Sequence, residues 1–286
     1  MKLSAQAPAK VNRELRVGRL RPDGFHEVHS RMVSIDLADR ISVETASKLE
    51  LTCDDPAIPP GEDNLVVRAA RGLARAAGVR PNAHIHLEKR TPMGGGLGGG
   101  SADAAITLRL LAALWECGPD IQESLPAIAG DLGSDVPFFL VGGQADVTGR
   151  GEIVQPVDDG PARELLLLVP PFTVATAAVY RAYAGRGRLP GRLSVALPDR
   201  GEFLGPNDLT PAVLQVEPRM EAYLASAARV SEERAVSGSG STIVLTAGPG
   251  AREERARRHP EARVFSCTTL TRDAYRLRTS PNGGSS

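Results

Sequence analysis

The sequence predicts an α+β fold in two domains, residues 1–158 and 159–286. Three observations predict it. Strand-like and helix-period segments interleave along the chain, the order of a layered α+β protein. A chain of 286 residues is long enough for one large domain or two ordinary ones. The segment 157-VDDGPARE-164 is polar and carries Gly and Pro, so the boundary falls there.

Residues 9–17 and 40–45 read as strands, and 21-RPDGFHE-27 lies between them with Pro-Asp-Gly as its turn signature. Asn64 caps a helix in which Leu65, Val66, Ala69, Ala70, Leu73 and Ala77 recur at helical spacing, and Gly78 stops it. Residues 83-AHIHLE-88 alternate as a strand. A second helix starts at Ser101, with Ala104, Ala105, Leu108, Leu111, Ala112 and Trp115 as its stripe. A third covers about 121–132 and ends at Gly133; 134-SDVPFFL-140 then leads into a strand and the tight turn 149-GRGE-152.

Past the boundary, 165-LLLLVPP-171 is a buried strand and 176–183 a short helix. The stretch 185–201 is irregular, and helices near 207–216 and 218–230 follow it. A strand, the turn 237-SGSGS-241, the strand 242–247, a helix at 249–258 and a strand at 262–270 complete the second α+β layer. The tail 280–286 is expected to be disordered.

Composition narrows the function. Apolar content of 42% and charged content of 24% are those of a soluble globular protein. Lys+Arg and Asp+Glu are 34 each, which argues against a general nucleic-acid or membrane-surface binder. No apolar run reaches the roughly 18 residues of a membrane span, and MKLSAQAPAK lacks the core of a signal peptide. Cys53, Cys117 and Cys267 are scattered, as in a reduced cytoplasmic protein. The pairs His26/His29 and His84/His86 have no third ligand nearby, so no metal site is assigned to either.

The most unusual stretch is 92-PMGGGLGGGSADAA-105, with six glycines in the seven positions 94–100 leading into a helix. Bare backbone at a helix start lets several N–H groups converge on an anion, and phosphate is the usual guest. Ser101 sits where an N-cap belongs; Asp103 lies in the first turn, suited to the dipole or to a magnesium ion. A Walker loop needs a Lys that is absent here. Gly94, Gly96 and Gly99 match a dinucleotide fingerprint, but Lys89–Met93 separate them from the preceding strand. A flexible linker has no reason to enter a well-patterned helix. The remaining type is the glycine-serine loop of small-metabolite kinases.

The stretch 89-KRTPMGGGLGGGSADAA-105 resembles the ATP loop of the GHMP-superfamily kinases that act on 4-diphosphocytidyl-2-C-methyl-D-erythritol. The segments 7-APAKVN-12, 21-RPDGFHE-27, 63-DNLVVRAA-70, 131-DLGSDVPFFL-140 and 237-SGSGS-241 resemble them in the same order, across most of the chain. The resemblance implies an N-terminal ribosomal-protein-S5-domain-2-like α/β domain with a left-handed β-α-β element. It implies a ferredoxin-like C-terminal domain, with the substrate in the cleft between the two. ATP, with magnesium, would phosphorylate the substrate's 2-hydroxyl. The partner is then a small molecule, a cytidyl diphosphate of methylerythritol, and the chain a monomer or weak homodimer.

By the same resemblance Lys10 and Asp135 form the catalytic pair. Asn64, Lys89, Pro92, Met93, Gly94, Gly95, Gly96, Leu97, Gly98, Gly99, Gly100, Ser101 and Ala102 bind ATP, although Asn64 also serves as a plain helix cap. Phe25 and Tyr180 sandwich the cytosine and His26 reads its edge. Asn12, Thr176, Gly238 and Ser239 contact the rest of the substrate. The chain departs from the family pattern at Arg13 and Glu14, where apolar residues are usual, at Phe25 in place of Tyr, and at Ala102 in place of Ser. Two alternatives remain: another GHMP kinase acting on mevalonate, homoserine or a sugar, and a nucleotide-binding protein without turnover. His26 argues against the first, Lys10 with Asp135 against the second.

Overall fold

Residues 1–186, 197, 202–246 and 259–283 are described in a computed structural model. The helix expected at 249–258 and most of the stretch 185–201 lie outside these described residues.

The Pro22-Asp23-Gly24 turn joins two long antiparallel strands, β1 (Lys2–Leu20) and β2 (His26–Thr45). Gly24 takes φ +84, and Asp23 accepts from the Phe25 amide at 3.1 Å, which closes the turn. Both strands exceed the expected 9–17 and 40–45. The reason is burial on both faces: Ala7 through Asn12 are all buried, so no apolar–polar alternation marks that stretch.

Around this hairpin lies a seven-stranded sheet. Beyond β2 come β4 (Ala83–Glu88) and, parallel to it, β3 (Glu50–Cys53). β5 (Gln144–Thr148) pairs with β2 at Ser30–Val33, and β6 (Ile153–Pro156) pairs with β5. Helices α1 (Leu65–Ala77), α2 (Gly99–Leu114), α3 (Pro119–Leu132) and α4 (Val136–Val141) share one core with the sheet, including Leu73, Ile85, Ile106, Leu108 and Phe138. As expected, Asn64 caps α1 by accepting from the Val66 amide at 2.9 Å, and Gly78 ends it at φ 65. Segment 134–140 is not simply a lead into a strand, because Val136–Val141 turns helical.

The second sheet is antiparallel, in the order β10 (Arg263–Thr268), β7 (Glu164–Val169), β9 (Ile243–Thr246), β8 (Arg234–Val236). Its β7 strand explains the unbroken Leu run. Leu166 and Leu168 pack under α5 (Thr176–Ala184), α6 (Thr210–Val216) and α7 (Met220–Ala228). Leu165, Leu167 and Val169 point the other way, against Ala9, Val11, Val33, Ile35 and Leu97. That second contact joins the two halves beside the glycine loop.

Two further elements carry no apolar signal strong enough to read. Helix α8 (Arg272–Thr279) is held by Tyr275, fully buried, whose hydroxyl donates to the Phe139 carbonyl at 2.6 Å. β11 (Asn282–Gly283) then pairs with β1 at Leu3 and Ser4. The expected disorder of the 280–286 tail is therefore corrected for Asn282 and Gly283, whose backbone continues the first sheet. No helix among the described residues is long and apolar enough to cross a membrane.

Candidate active site

Strand alternation puts Lys10 and Asn12 on one face of β1. Register shifts in the β1–β2 pairing occur between Pro8 and Lys10 and again between Asn12 and Glu14. The second leaves Arg13 as the extra residue of a β-bulge, a device that re-aims side chains next to sites. The Lys10 ammonium donates to Asn12 Oδ1 at 2.7 Å and to the Gly96 carbonyl at 3.1 Å, and Asp135 Oδ2 lies 3.5 Å away. Lys10 is 3% exposed and Asp135 34%, so the lysine is fixed within the protein and the carboxylate faces the opening. Asp135 makes no capping bond to α4, whose start it occupies, which leaves its carboxylate to Lys10 and to a ligand.

Arg13 and Glu14, the unusual pair, are structural. The Arg13 guanidinium stacks 4.1 Å over Phe203, donates to its carbonyl at 2.8 Å and reaches Gln144. Glu14 accepts from Arg16 at 2.7 Å. Together they tie the bulge to both halves of the molecule.

The glycine loop runs directly past Lys10. The Lys10 amide donates to the Leu97 carbonyl at 2.9 Å, and the Ser237 hydroxyl donates to the Gly96 carbonyl at 3.0 Å. Among the described residues, no amide from Gly96 to Ser101 donates a backbone hydrogen bond within the protein. Those N–H groups face the start of α2 with the positive end of its dipole behind them. Space explains two of the glycines. A Cβ on Gly96, at φ +75, would meet the Ser237 carbonyl oxygen at 2.1 Å; one on Gly98, at φ +71, would meet the Phe139 ring at 2.8 Å.

Three details of the loop differ from expectation. Gly98, in the left-handed region, occupies the N-cap position, so Ser101 stands in the first turn rather than capping it. Its hydroxyl lines the cavity instead. Ala102 lies in the core with its amide bonded to the Gly98 carbonyl at 2.9 Å, which leaves it no group to offer a nucleotide. Lys89 is 6% exposed and its ammonium bridges two buried carboxylates, Asp39 at 2.5 Å and Asp103 at 2.8 Å. Burial lowers the Lys89 pKa, but Asp103 and Asp39 more than offset this and hold it above its ordinary value. Burial pushes the Asp103 carboxyl up, against the pull of Lys89. Lys89 thus fastens the start of α2 to β2. Both ends of the Asn64 side chain are likewise engaged, by the α1 cap and by the Pro59 carbonyl at 2.9 Å. Pro92 is buried, and Met93, Gly94 and Gly100 are exposed.

A cavity of about 820 Å³ gathers most of the expected substrate residues: Lys10, Asn12, Phe25, His26, Asp135, Thr176, Tyr180, Gly238 and Ser239, with Gly96, Gly98 and Ser101 from the loop. The Thr176 and Ser239 hydroxyls share a hydrogen bond at 2.7 Å. Phe25 is 47% exposed on its turn. His26 is 7% exposed, its ring 5.5 Å from Tyr180 and 5.9 Å from Tyr183. Its Nε2 is buried with no hydrogen-bond partner among the described residues. Burial holds the His26 pKa below its ordinary value, so the ring stays neutral near pH 7, with one nitrogen donating and one accepting. The Tyr180 phenol is pushed up by burial and then by Asp135, so it too stays neutral. Sequence reasoning missed Arg150 and Ser134, which also line the cavity. The only signal for Arg150 was a cation flanked by glycines in 149-GRGE-152, a stretch read merely as a turn.

Residues 64–143 match the family model for the GHMP kinases N terminal domain. A mevalonate kinase crystal structure overlays with a TM-score of 0.68 across 95% of this chain and 99% of that one, at 11% identity, a likeness of fold alone. Fold and glycine loop therefore define the class, a GHMP-type kinase with ATP as its co-substrate. A crystal structure of 4-(cytidine 5'-diphospho)-2C-methyl-D-erythritol kinase has a TM-score of 0.75 and 35% identity, covering 93% of this chain and 98% of that one. The 4-diphosphocytidyl-2-C-methyl-D-erythritol kinase of Salinibacter ruber is 41% identical over 255 residues, 85% of this chain and 89% of that protein. The chain belongs to the 4-diphosphocytidyl-2-C-methyl-D-erythritol kinase family.

Proposed function

We propose that this chain transfers the γ-phosphoryl group of ATP to the 2-hydroxyl of 4-diphosphocytidyl-2-C-methyl-D-erythritol. The products are the 2-phosphate and ADP, in the non-mevalonate route to isoprenoid precursors. One observation carries the reading: a single cavity holds both the Lys10–Asp135 couple beside the bare amides and a buried His26 whose Nε2 has no partner among the described residues. An unpaired buried nitrogen costs about 1–3 kcal/mol, which a ligand with a complementary edge recovers. A neutral imidazole flanked by Phe25 and Tyr180 suits the donor–acceptor edge and flat faces of cytosine.

In this reading Asp135 takes the proton of the attacking hydroxyl as the new O–P bond forms and the bond to the ADP oxygen breaks. Lys10 steadies the charge that develops on the oxygens in flight. The amides of Gly94 to Ser101 hold the phosphates, and the Ser101 hydroxyl adds a contact. Magnesium accompanies ATP. The cavity's hard oxygen donors beside the loop, Ser101 Oγ and the Asp135 carboxylate, fit an ion that keeps several waters and takes one or two protein ligands. When bound, the ion neutralises phosphate charge. Asp103 is committed to Lys89 and is not one of these donors.

We assign residues 1–158 to the S5-domain-2-like fold with a left-handed β-α-β element. Residues 159–286 are assigned to a ferredoxin-like domain, supported by four antiparallel strands with α5, α6 and α7 on one face. The reading also takes the chain to be a monomer or weak homodimer in the cytoplasm.

A coupled ADP-release assay tests the reading. Purified protein should turn over the cytidyl substrate and neither mevalonate nor homoserine; ADP release with mevalonate alone would overturn the substrate. In the same assay His26→Ala should raise the KM for the cytidyl substrate about tenfold or more and leave the KM for ATP unchanged. An equal rise in both would remove His26 from base reading.

A further inference from the structure

The substrate named above carries a diphosphate, and its charges need a cation. The positively charged side chains lining the cavity are Lys10, Arg150 and Arg181. Lys10 is already engaged by Asp135, Asn12 and the Gly96 carbonyl. Arg181 follows Tyr180 in the last turn of α5.

Arg150 differs from both. It sits at the tip of the turn joining β5 to β6, where Gly149 takes φ +75 and Gly151 φ +122. The turn is built onto the base-reading segment, because the Val28 amide donates to the Gly149 carbonyl at 2.8 Å. Glu152 braces it by accepting from the Arg150 amide at 2.7 Å. The guanidinium lies 5.2 Å from the centre of the Phe25 ring and donates one N–H to the Gly130 carbonyl, at 2.7 Å, at the end of α3. A guanidinium has five N–H donors, so most of its fork has no protein acceptor among the described residues. On its other side, Gly151 packs so tightly on Ser134 that a Cβ would come within 3.0 Å of it, and Ser134 precedes Asp135. The guanidinium thus lies at the aromatic wall, and the next residue in the chain packs against Ser134, the neighbour of Asp135; both Arg150 and Asp135 line the cavity. A linker joining a cytidine to an acceptor hydroxyl has to cross from that wall to that carboxylate.

We infer that Arg150 is a specificity-determining residue that binds the diphosphate of the substrate while holding the Phe25 ring in position. Guanidinium and phosphate match as a planar fork, and the cation–π contact replaces the anchoring that a tyrosine hydroxyl at position 25 would give. The inference rests on the cytidyl substrate reading.

Isothermal titration with CDP and with cytidine, ADP saturating the glycine loop, tests it. Arg150→Met should weaken CDP roughly 10- to 100-fold and cytidine less than about threefold, because only CDP offers the diphosphate. Equal weakening of both ligands would reduce Arg150 to a support for Phe25 and overturn the inference, as would unchanged CDP affinity. If Arg150→Met no longer holds ADP, Arg150→Lys decides. It keeps the charge but loses the fork, so CDP should weaken about 3- to 10-fold with cytidine unchanged; parallel losses again overturn the assignment. A wild-type protein that binds ADP but neither cytidine ligand would sink the substrate reading itself, and this inference with it.

Discussion

Asp135→Asn is expected to lower kcat by roughly 10²- to 10⁴-fold while the KM for ATP stays close to wild type, since that is the range a positioned general base supplies. The substitution keeps size and shape and removes the negative charge. The fold should survive it. The Asp135 side chain does not cap its own helix, it is 34% exposed, and its ion-pair partner among the described residues, Lys10, retains Asn12 Oδ1 and the Gly96 carbonyl as acceptors. The loss therefore falls on chemistry rather than on stability, and a thermal midpoint near wild type is part of the prediction. A kcat within about threefold of wild type would mean that the hydroxyl proton leaves by a route that does not need this carboxylate.

The second large effect is on the loop. Gly96→Ala should destabilise the protein by at least about 2–3 kcal/mol, a fall in Tm of roughly 5–10 °C, and should abolish measurable ATP-analogue binding. Two causes add. A φ of +75 strains any residue with a Cβ, and that Cβ would sit 2.1 Å from the Ser237 carbonyl oxygen, which is backbone and has nowhere to move. Relief would require parting the loop from the 237–241 turn, and the Ser237-to-Gly96 and Lys10-to-Gly96 hydrogen bonds with it. Gly100 is the contrast. The nearest atom to a Cβ there is Leu65 Cδ1 at 3.8 Å, so Gly100→Ala should leave Tm within about 2 °C. If the two substitutions behaved alike, the tight packing at Gly96 would not matter.

That contrast also marks what the sequence could and could not tell. Six glycines in a row of seven announce bare backbone, but only the packed neighbours separate Gly96 and Gly98 from Gly100. Local signals were legible because their physics is local: the Asn64 cap, the Gly78 stop, the Pro-Asp-Gly turn. Lys10, Asn12, His26, Asp135 and Ser239 were legible as motifs, and their meeting in one cavity follows from the fold. Lys89 was not legible as a structural cation, because Asp39 lies fifty residues away and nothing in the sequence pairs them. The return of the chain to β1 through α8 and β11 was hidden for a related reason. It depends on one buried tyrosine and two backbone pairings in a polar segment. Arg13 and Glu14 looked anomalous for a strand until the bulge at Arg13 accounted for them.

The central claim is that the unpaired amides between Gly96 and Ser101 grip the phosphates of ATP beside Lys10 and Asp135. Amide-resolved NMR of ¹⁵N-labelled protein, titrated with a non-hydrolysable ATP analogue, addresses it directly. The largest shift changes should fall on the amides of Gly96 to Ser101, which have no acceptor among the described residues. Saturation with the analogue that left those resonances unmoved, with the changes gathered elsewhere, would contradict the account.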